Sequence, residues 1–275
     1  MYKEIVVCVN EAEGRDNAIT AAAAFANQHN AHLLGVYCSL GEDSPLVPAM
    51  GVVSADLIME AMKQYKERRT ASKQRFKEIT SEVGCSADWL DDDSVDAPIR
   101  AAAYADLIIT NQAAKDKARG VSNMSLINRL ILESGKPVIL TPTGWNQTGF
   151  GARIALGWDE SREAVRAVAD ALPLLQQAEQ VDVISINYEG DDDIVDISEI
   201  STYLAQRNVA NSFHLQVTSS RLDSPEKVLS NYCDEHDIDL LVIGAYGHTR
   251  LREIVLGGVT RHMIRRSKVP LLLTH

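Results

Sequence analysis

No apolar run in this chain of 275 residues approaches the roughly 18 that a membrane-spanning helix needs. The start, Met1-Tyr2-Lys3-Glu4, enters a strand pattern with no apolar leader core, so no secretory signal is expected. Positive charge is also short. Lys and Arg number 27 against 38 Asp and Glu, a formal net charge of −11. That balance argues against nucleic acid or an anionic membrane as the main partner. Cysteine is scarce: Cys8, Cys38, Cys85 and Cys233 stand far apart, without metal-ligand spacing. Cys8 and Cys38 fall in apolar strand runs and read as core thiols, so nothing asks for an oxidising compartment. Missing too are GxxxxGK[ST], H-E-x-x-H and a Ser-His-Asp order. No nucleophile, general base or metal ligand is assigned. These absences lead to the expectation of a soluble, cytoplasmic protein.

What is present is a 45% hydrophobic chain long enough for about two domains. Short β-branched runs alternate with helical patterns. Ile5–Val9, His32–Tyr37, Cys85–Leu90, Leu107–Thr110 and Val138–Leu140 read as strands. Between them stand an alanine-rich helix at 18–26, a long amphipathic helix over 55–82 after a Ser54 cap, and helices at 94–104 and 126–132. A polar linker, Thr141 to Gly149, follows. The pattern then restarts with strands Ile154–Leu156, Val181–Ile186, Phe213–Val217, Leu240–Ile243 and Leu271–Leu273. Its helices span Ser161 to Leu175 (ended or bent near Pro173), Asp191 to Gln206, Ser224 to His236, and a segment after Gly258. Asp106-Leu107-Ile108 matches Asp239-Leu240-Leu241, and Pro137-Val138 matches Pro270-Leu271. The expectation is an α/β fold of two tandem five-stranded parallel sheets, Rossmann-like, over residues 1–143 and 150–275. In such sheets ligands bind beyond the C-terminal strand ends.

The last strand–loop–helix unit carries the sharpest pattern. After Ile243 come Gly244-Ala245-Tyr246-Gly247, nine residues, then Gly257-Gly258-Val259-Thr260. Glycines let backbone turn tightly and approach a ligand closely, and a helix start offers unpaired N–H groups to an anion. The same arrangement also suits an ordinary turn. This pattern resembles the G-x2-G-x9-G-[ST] signature of the universal stress protein family. It departs at Gly258, where the family has a hydroxyl residue. The resemblance extends to Gly157-Trp158-Asp159, where the family places an acid near adenine and ribose, and to Ile186, an apolar position against adenine. Asp159 also suits a helix cap or a first-turn acid, and Ile186 an ordinary core position. His248 and Arg250 fall in the glycine loop, within reach of phosphate or simply in solvent.

The first half departs from this pattern. Asn10 stands where Asp159 stands, Thr110-Asn111-Gln112-Ala113 replaces Gly244 to Gly247, and Val121-Ser122-Asn123-Met124 falls at the second glycine cluster. That half reads as a degenerate repeat. The resemblance implies an adenine nucleotide alpha hydrolase-like fold. It also implies a stress-response protein, regulatory or protective, that binds ATP, ADP or AMP in its second half. It further implies that the apolar last strands of the two halves pair within the chain to form a pseudo-dimer, with a homodimer of whole chains also open. No acidic residue stands in the glycine loop to hold Mg²⁺. Two alternatives stay open: a slow ATP hydrolase using the same pocket, and a nucleotide-free scaffold, which Gly258 favours.

Overall fold

The computed structural model describes residues 1–9, 16–38, 55–113, 123–145, 147, 149–188, 195–209, 212–219, 224–247 and 258–275. Asn10, the 41–53 loop, Ser54, Val121, Ser122, Asp191 to Asp193, His248, Arg250 and Gly257 lie outside the described residues. Contacts divide the chain into two units, Met1–Lys136 with Asn146–Thr148, and Pro137–Trp145 with Gly149–His275. No described helix is long and apolar enough to cross a membrane.

The first unit holds β1 (Glu4–Val9), α1 (Asn17–His29), β2 (His32–Tyr37), α2 (Ala55–Val83), β3 (Ala87–Leu90), α3 (Ala97–Ala102), β4 (Leu107–Asn111) and α4 (Met124–Glu133). Its strands run in the order β3-β2-β1-β4, all parallel. β1 and β4 are buried along nearly their whole length, as parallel strands covered on both faces must be. The small side chains of α1, Ala18, Ala21, Ala22 and Ala26, are all buried, which lets that helix lie close to the sheet. Cys8 and Cys38 are buried free thiols, as their strand positions predict.

The second unit holds β5 (Val138–Thr141), β6 (Arg153–Gly157), α5 (Arg162–Leu175), β7 (Gln180–Tyr188), α6 (Ser198–Gln206), β8 (Ser212–Ser219), α7 (Pro225–Glu235), β9 (Leu240–Gly244), α8 (Gly258–Arg266) and β10 (Leu271–Thr274). The order is β5-β10-β9-β6-β7-β8. Every neighbouring pair is parallel except β5 with β10, which run antiparallel with Leu271 opposite Leu140 and Leu273 opposite Val138. The four strands β8-β7-β6-β9 repeat the order β3-β2-β1-β4.

Several boundaries differ from the sequence expectation, each for a local reason. β3 starts at Ala87 rather than Cys85. The end of α2 closes on Gly84 at φ 76°, with Gly84 N and Cys85 N both donating to Thr80 O, so Cys85 still belongs to the turn. α3 starts at Ala97 rather than Ser94, whose N–H is taken by Asp92 Oδ1 at 2.8 Å. α6 begins at Ser198 rather than in the Asp191 to Asp193 run, after Asp196 accepts from both Ser198 N and Ser198 Oγ at 2.8 Å. α5 runs through Pro173 to Leu175, because the proline sits in the last turn.

The matched aspartates explain the repeat in physical terms. Asp106 Oδ2 accepts from Lys3 N at 2.6 Å and Glu4 N at 3.0 Å. Asp239 accepts from Gly151 N, Ala152 N and Arg153 N at 2.8 to 3.0 Å. Each carboxylate sits just before the fourth strand of its half and clamps the entry of the first. Asp239→Ala removes three charge-assisted backbone bonds. It is expected to lower the unfolding free energy by roughly 2 kcal/mol, read from urea unfolding followed by tryptophan fluorescence.

A second expectation concerns β10. A chain shortened to residues 151–275 lacks β5, so β10 keeps its apolar residues but loses the strand that covers its edge. It should self-associate on size-exclusion chromatography as concentration rises. A strictly monomeric, soluble fragment would contradict the edge argument.

Candidate functional site

β6 is flanked by β7 on one side and β9 on the other. The connections from the ends of β6 and β9, to β7 and to β10, therefore leave in opposite directions, and the crevice at the C-terminal ends of β6 and β9 is the topological switch point of the second unit. Gly157 ends β6 and Gly244 ends β9, so the fold brings together two motifs far apart in sequence.

The turn after β6 is built by a short polar relay. Trp158 N donates to Ile184 O at 2.9 Å, seating the chain against β7. Glu160 bends back at φ 60°. Ser161 then caps α5, its Oγ accepting from Ala164 N at 3.1 Å. Asp159 Oδ1 accepts from Ser161 N at 3.1 Å and from Ser161 Oγ at 2.5 Å. Asp159 is thus neither the helix cap nor a first-turn acid: it lies two residues before the cap and orients it. Ile186 sits two residues inside β7, which extends to Tyr188, and is half-buried opposite Val217.

The glycines after β9 are set by what they touch. A Cβ on Gly244 would stand 2.6 Å from the Glu163 carbonyl carbon and 2.7 Å from Ala164 N. These are backbone atoms of the first turn of α5, so only a hydrogen fits. A Cβ on Gly157 would meet Ile243 Cγ2 at 2.8 Å. Gly247 approaches the side chains of Glu163 and Ser161, with a Cβ placed 3.1 Å from Glu163 Oε2. The left-handed residue of this turn is Tyr246, at φ 59°, rather than a glycine. Tyr246 N donates to Thr260 Oγ1 at 3.4 Å, which ties the glycine turn to the start of α8. Burial pushes the Tyr246 phenol up, partly opposed by the positive charge of Arg261. Gly258 opens α8, exposed, with no described residue near a Cβ, and Val259 is half-buried behind it. No acid stands in the first turn of α8, which leaves its positive end uncompensated by a side chain of the helix itself.

Sequence reasoning missed Glu163. Its side chain is only 6% exposed, and its Oε1 accepts from Arg162 Nη2 at 3.1 Å. The pattern marks it only as an acid near a helix start; its position against Gly247 depends on the sheet. Unpaired polar atoms gather at the same end of the unit. Trp158 Nε1, Ser185 Oγ, Asn187 Nδ2 and Thr274 Oγ1 are buried without a hydrogen-bond partner among the described residues. Trp158 and Ser185 follow the paired residues Gly157 and Ile184, and Thr274 lies opposite Gly244. Among the described residues no three His, Cys, Asp or Glu side chains come together as a metal site.

The corresponding place in the first unit is filled. Strand registers align Leu107 with Leu240 and Ile5 with Ile154. Asn111, not Thr110, therefore stands at the position of Gly244, and Cys8 at that of Gly157. Thr110, Asn111 and Gln112 are buried side chains, and Asn123 Nδ2 donates to Asn111 O at 3.5 Å and Gln112 O at 3.3 Å.

The sequence model of the Universal stress protein family matches this chain twice, over residues 1–142 and 152–275. A universal stress protein of Synechocystis sp. is 38% identical over 47 residues, which cover 17% of this chain and 16% of the relative. One from Methanocaldococcus jannaschii is 33% identical over 49 residues, covering 18% of this chain and 30% of the relative. The matched stretches thus span under a third of either relative's length. Among solved structures, a universal stress protein from Archaeoglobus fulgidus superposes with a TM-score of 0.71, covering 98% of this chain and 95% of that one at 16% identity. A Pseudomonas aeruginosa structure described as a putative universal stress protein gives 0.55, covering 99% and 93% at 16% identity. With the family pattern matched once in each half, on a fold shared with its solved members, the chain belongs to the universal stress protein family.

Proposed function

We propose that the second repeat binds one adenine nucleotide, ATP or its di- or monophosphate, and that the bound nucleotide sets a regulatory or protective role in stress response. The phosphates lie along Gly244 to Gly247 and the start of α8 at Gly258, Val259 and Thr260. The base and ribose lie toward Trp158, Asp159 and Ile186. The observation that carries this reading is the meeting of two tight turns at the switch point, beside a buried indole N–H of Trp158 that has no partner among the described residues. A buried unpaired donor costs about 1–3 kcal/mol, and a ligand acceptor relieves that cost. Ile243 serves by packing against Gly157.

Glu163 shapes the demand for a cation. Its carboxylate lies against Gly247, close to where a phosphate would sit. The exposed Arg162 offsets that carboxylate in part; beyond that, two anions at such a distance repel unless a divalent cation bridges them or the side chain turns away. ATP binding is therefore expected to tighten with Mg²⁺, and Glu163→Gln to reduce that dependence. We also infer that β5, supplied by the first repeat, serves as the built-in partner of β10. The antiparallel register of the two strands supports this.

Calorimetric titration of the whole chain with ATP should give about one nucleotide per chain. Two equal sites, or no heat from a folded protein, would overturn the proposal; the second outcome favours a nucleotide-free scaffold. In the same assay Gly247→Val is expected to lose about tenfold or more in affinity, at least 1.4 kcal/mol, with an unchanged circular dichroism spectrum. Gly258→Ser meets no described residue and is expected to keep or raise affinity.

A further inference from the structure

The first unit holds a histidine between two acids on neighbouring strands. His32 opens β2 in register with Glu4 of β1. Asp88 of the outer strand β3 stands opposite Leu34, two residues further on, and so is a diagonal neighbour of His32 on the same face. His32 Nδ1 lies 2.9 Å from Glu4 Oε1, and His32 Nε2 lies 3.2 Å from Asp88 Oδ2. An ionised carboxylate only accepts, so the ring satisfies both acids only when each nitrogen carries a hydrogen, which is the imidazolium form. A neutral ring keeps one N–H and turns a lone pair toward the other acid. The longer bond is the one to Asp88, whose side chain is 81% exposed against 36% for Glu4. Deprotonation therefore gives up the Asp88 link first.

The surroundings favour the charged form. Burial pulls the histidine down, but Glu4 and then Asp88 outweigh it, and the net shift is upward. Asp106, at the entry of β4, accepts from Lys3 N and Glu4 N, and the Lys3 side chain is exposed. From α3, Arg100 is engaged by Asp92. From α1, His29 packs against Tyr2 and Phe25, and burial, then the amino terminus, holds it below the usual range. α2 covers the other face of β2, where a Cβ on Gly35 would meet Phe76. The far end of β3 is fixed independently: Trp89 packs on Phe76 with centroids 5.4 Å apart, and Asp91 pairs with Arg69 at 3.2 Å. The second unit has no titrating counterpart. Register places Arg153 and Gln180 where Glu4 and His32 stand, and Gln180 Nε2 donates to Asp182 on its own strand at 2.8 and 2.9 Å.

We propose that His32 is a proton-operated latch on the outer strand of the first unit: its imidazolium ties the entry of β3 to β2 and β1, and loss of one proton frees Asp88. The folded state raises the hold of the ring on that proton. The latch is therefore fully closed below the ordinary histidine value of 6.5 and opens as pH rises through the higher folded value. Opening uncovers the edge of β2, whose backbone groups then stand ready to pair with another strand. The inference does not depend on nucleotide binding in the second repeat. It gives the degenerate half an input of its own, the proton.

The test is NMR of the full chain across the histidine range, about pH 5.5 to 8.5. The His32 ring should titrate above 6.5, and Asp88→Asn and Glu4→Gln should each lower its midpoint. Hydrogen exchange gives the second readout. After correction for intrinsic rates, the amides of Ala87–Leu90 should be about threefold less protected near pH 8 than near pH 6, the size expected of a partly exposed pair. The buried β1 amides serve as the reference and should change less. His32→Gln should abolish the difference at β3. Asp88→Asn should abolish it too, while the ring still titrates under the influence of Glu4. A His32 midpoint at or below 6.5, equal protection of β3 at both pH values, or a difference that survives in His32→Gln would overturn the proposal.

Discussion

Between the end of β9 and the first turn of α5 there is room for one hydrogen atom. At Gly244 a methyl group would stand 2.6 Å from the Glu163 carbonyl carbon, and backbone at a capped helix start cannot yield to it. That contact sets how near the two strand ends of the switch point can come. It positions Asp159 and Ser161 beside the glycine turn and brings the Glu163 carboxylate against Gly247. Thr260 then fastens the turn to the start of α8 through Tyr246 N. The site is a consequence of one close backbone approach, held by a serine cap on one side and a threonine on the other.

The two halves show how such a site is lost without losing the fold. What maintains the architecture persists in both. Asp106 and Asp239 each accept from the backbone at the entry of the first strand, and the first four strands of each repeat keep one order. What makes the glycine turn has been exchanged in matched pairs. Gly157 exists because Ile243 leans on it; in the first half, Cys8 stands with the smaller Thr110, whose hydroxyl donates to Cys8 O at 3.2 Å. Buried Asn111 and Gln112 occupy the place of the glycine turn, with Asn123 holding their carbonyls. These exchanges keep buried side chains at the matched positions, so the fold does not require the glycine motif.

The strand runs, their alternation with helices and the doubling of the chain were legible because buried parallel strands are short β-branched runs, and each half repeats them. The glycine spacing marked the loop, and Gly157-Trp158-Asp159 marked its opposite wall. Boundaries governed by side-chain capping were read less well. Asp92, Asp196 and Gly84 shift α3, α6 and β3 by local bonds that hydrophobic periodicity does not register.

By itself, then, the sequence determined the class of fold, the repeat and the residues of the glycine motif, since these depend on patterns along the chain. Only the tertiary structure decided which glycines are sterically required. It also revealed that Glu163 shares their space, that Asp159 orients a cap, and that buried Asn111 and Gln112 stand at the register positions of Gly244 and Ala245 in the first half. Those features depend on distances between residues many tens of positions apart, and such distances exist only once the strands have taken their register.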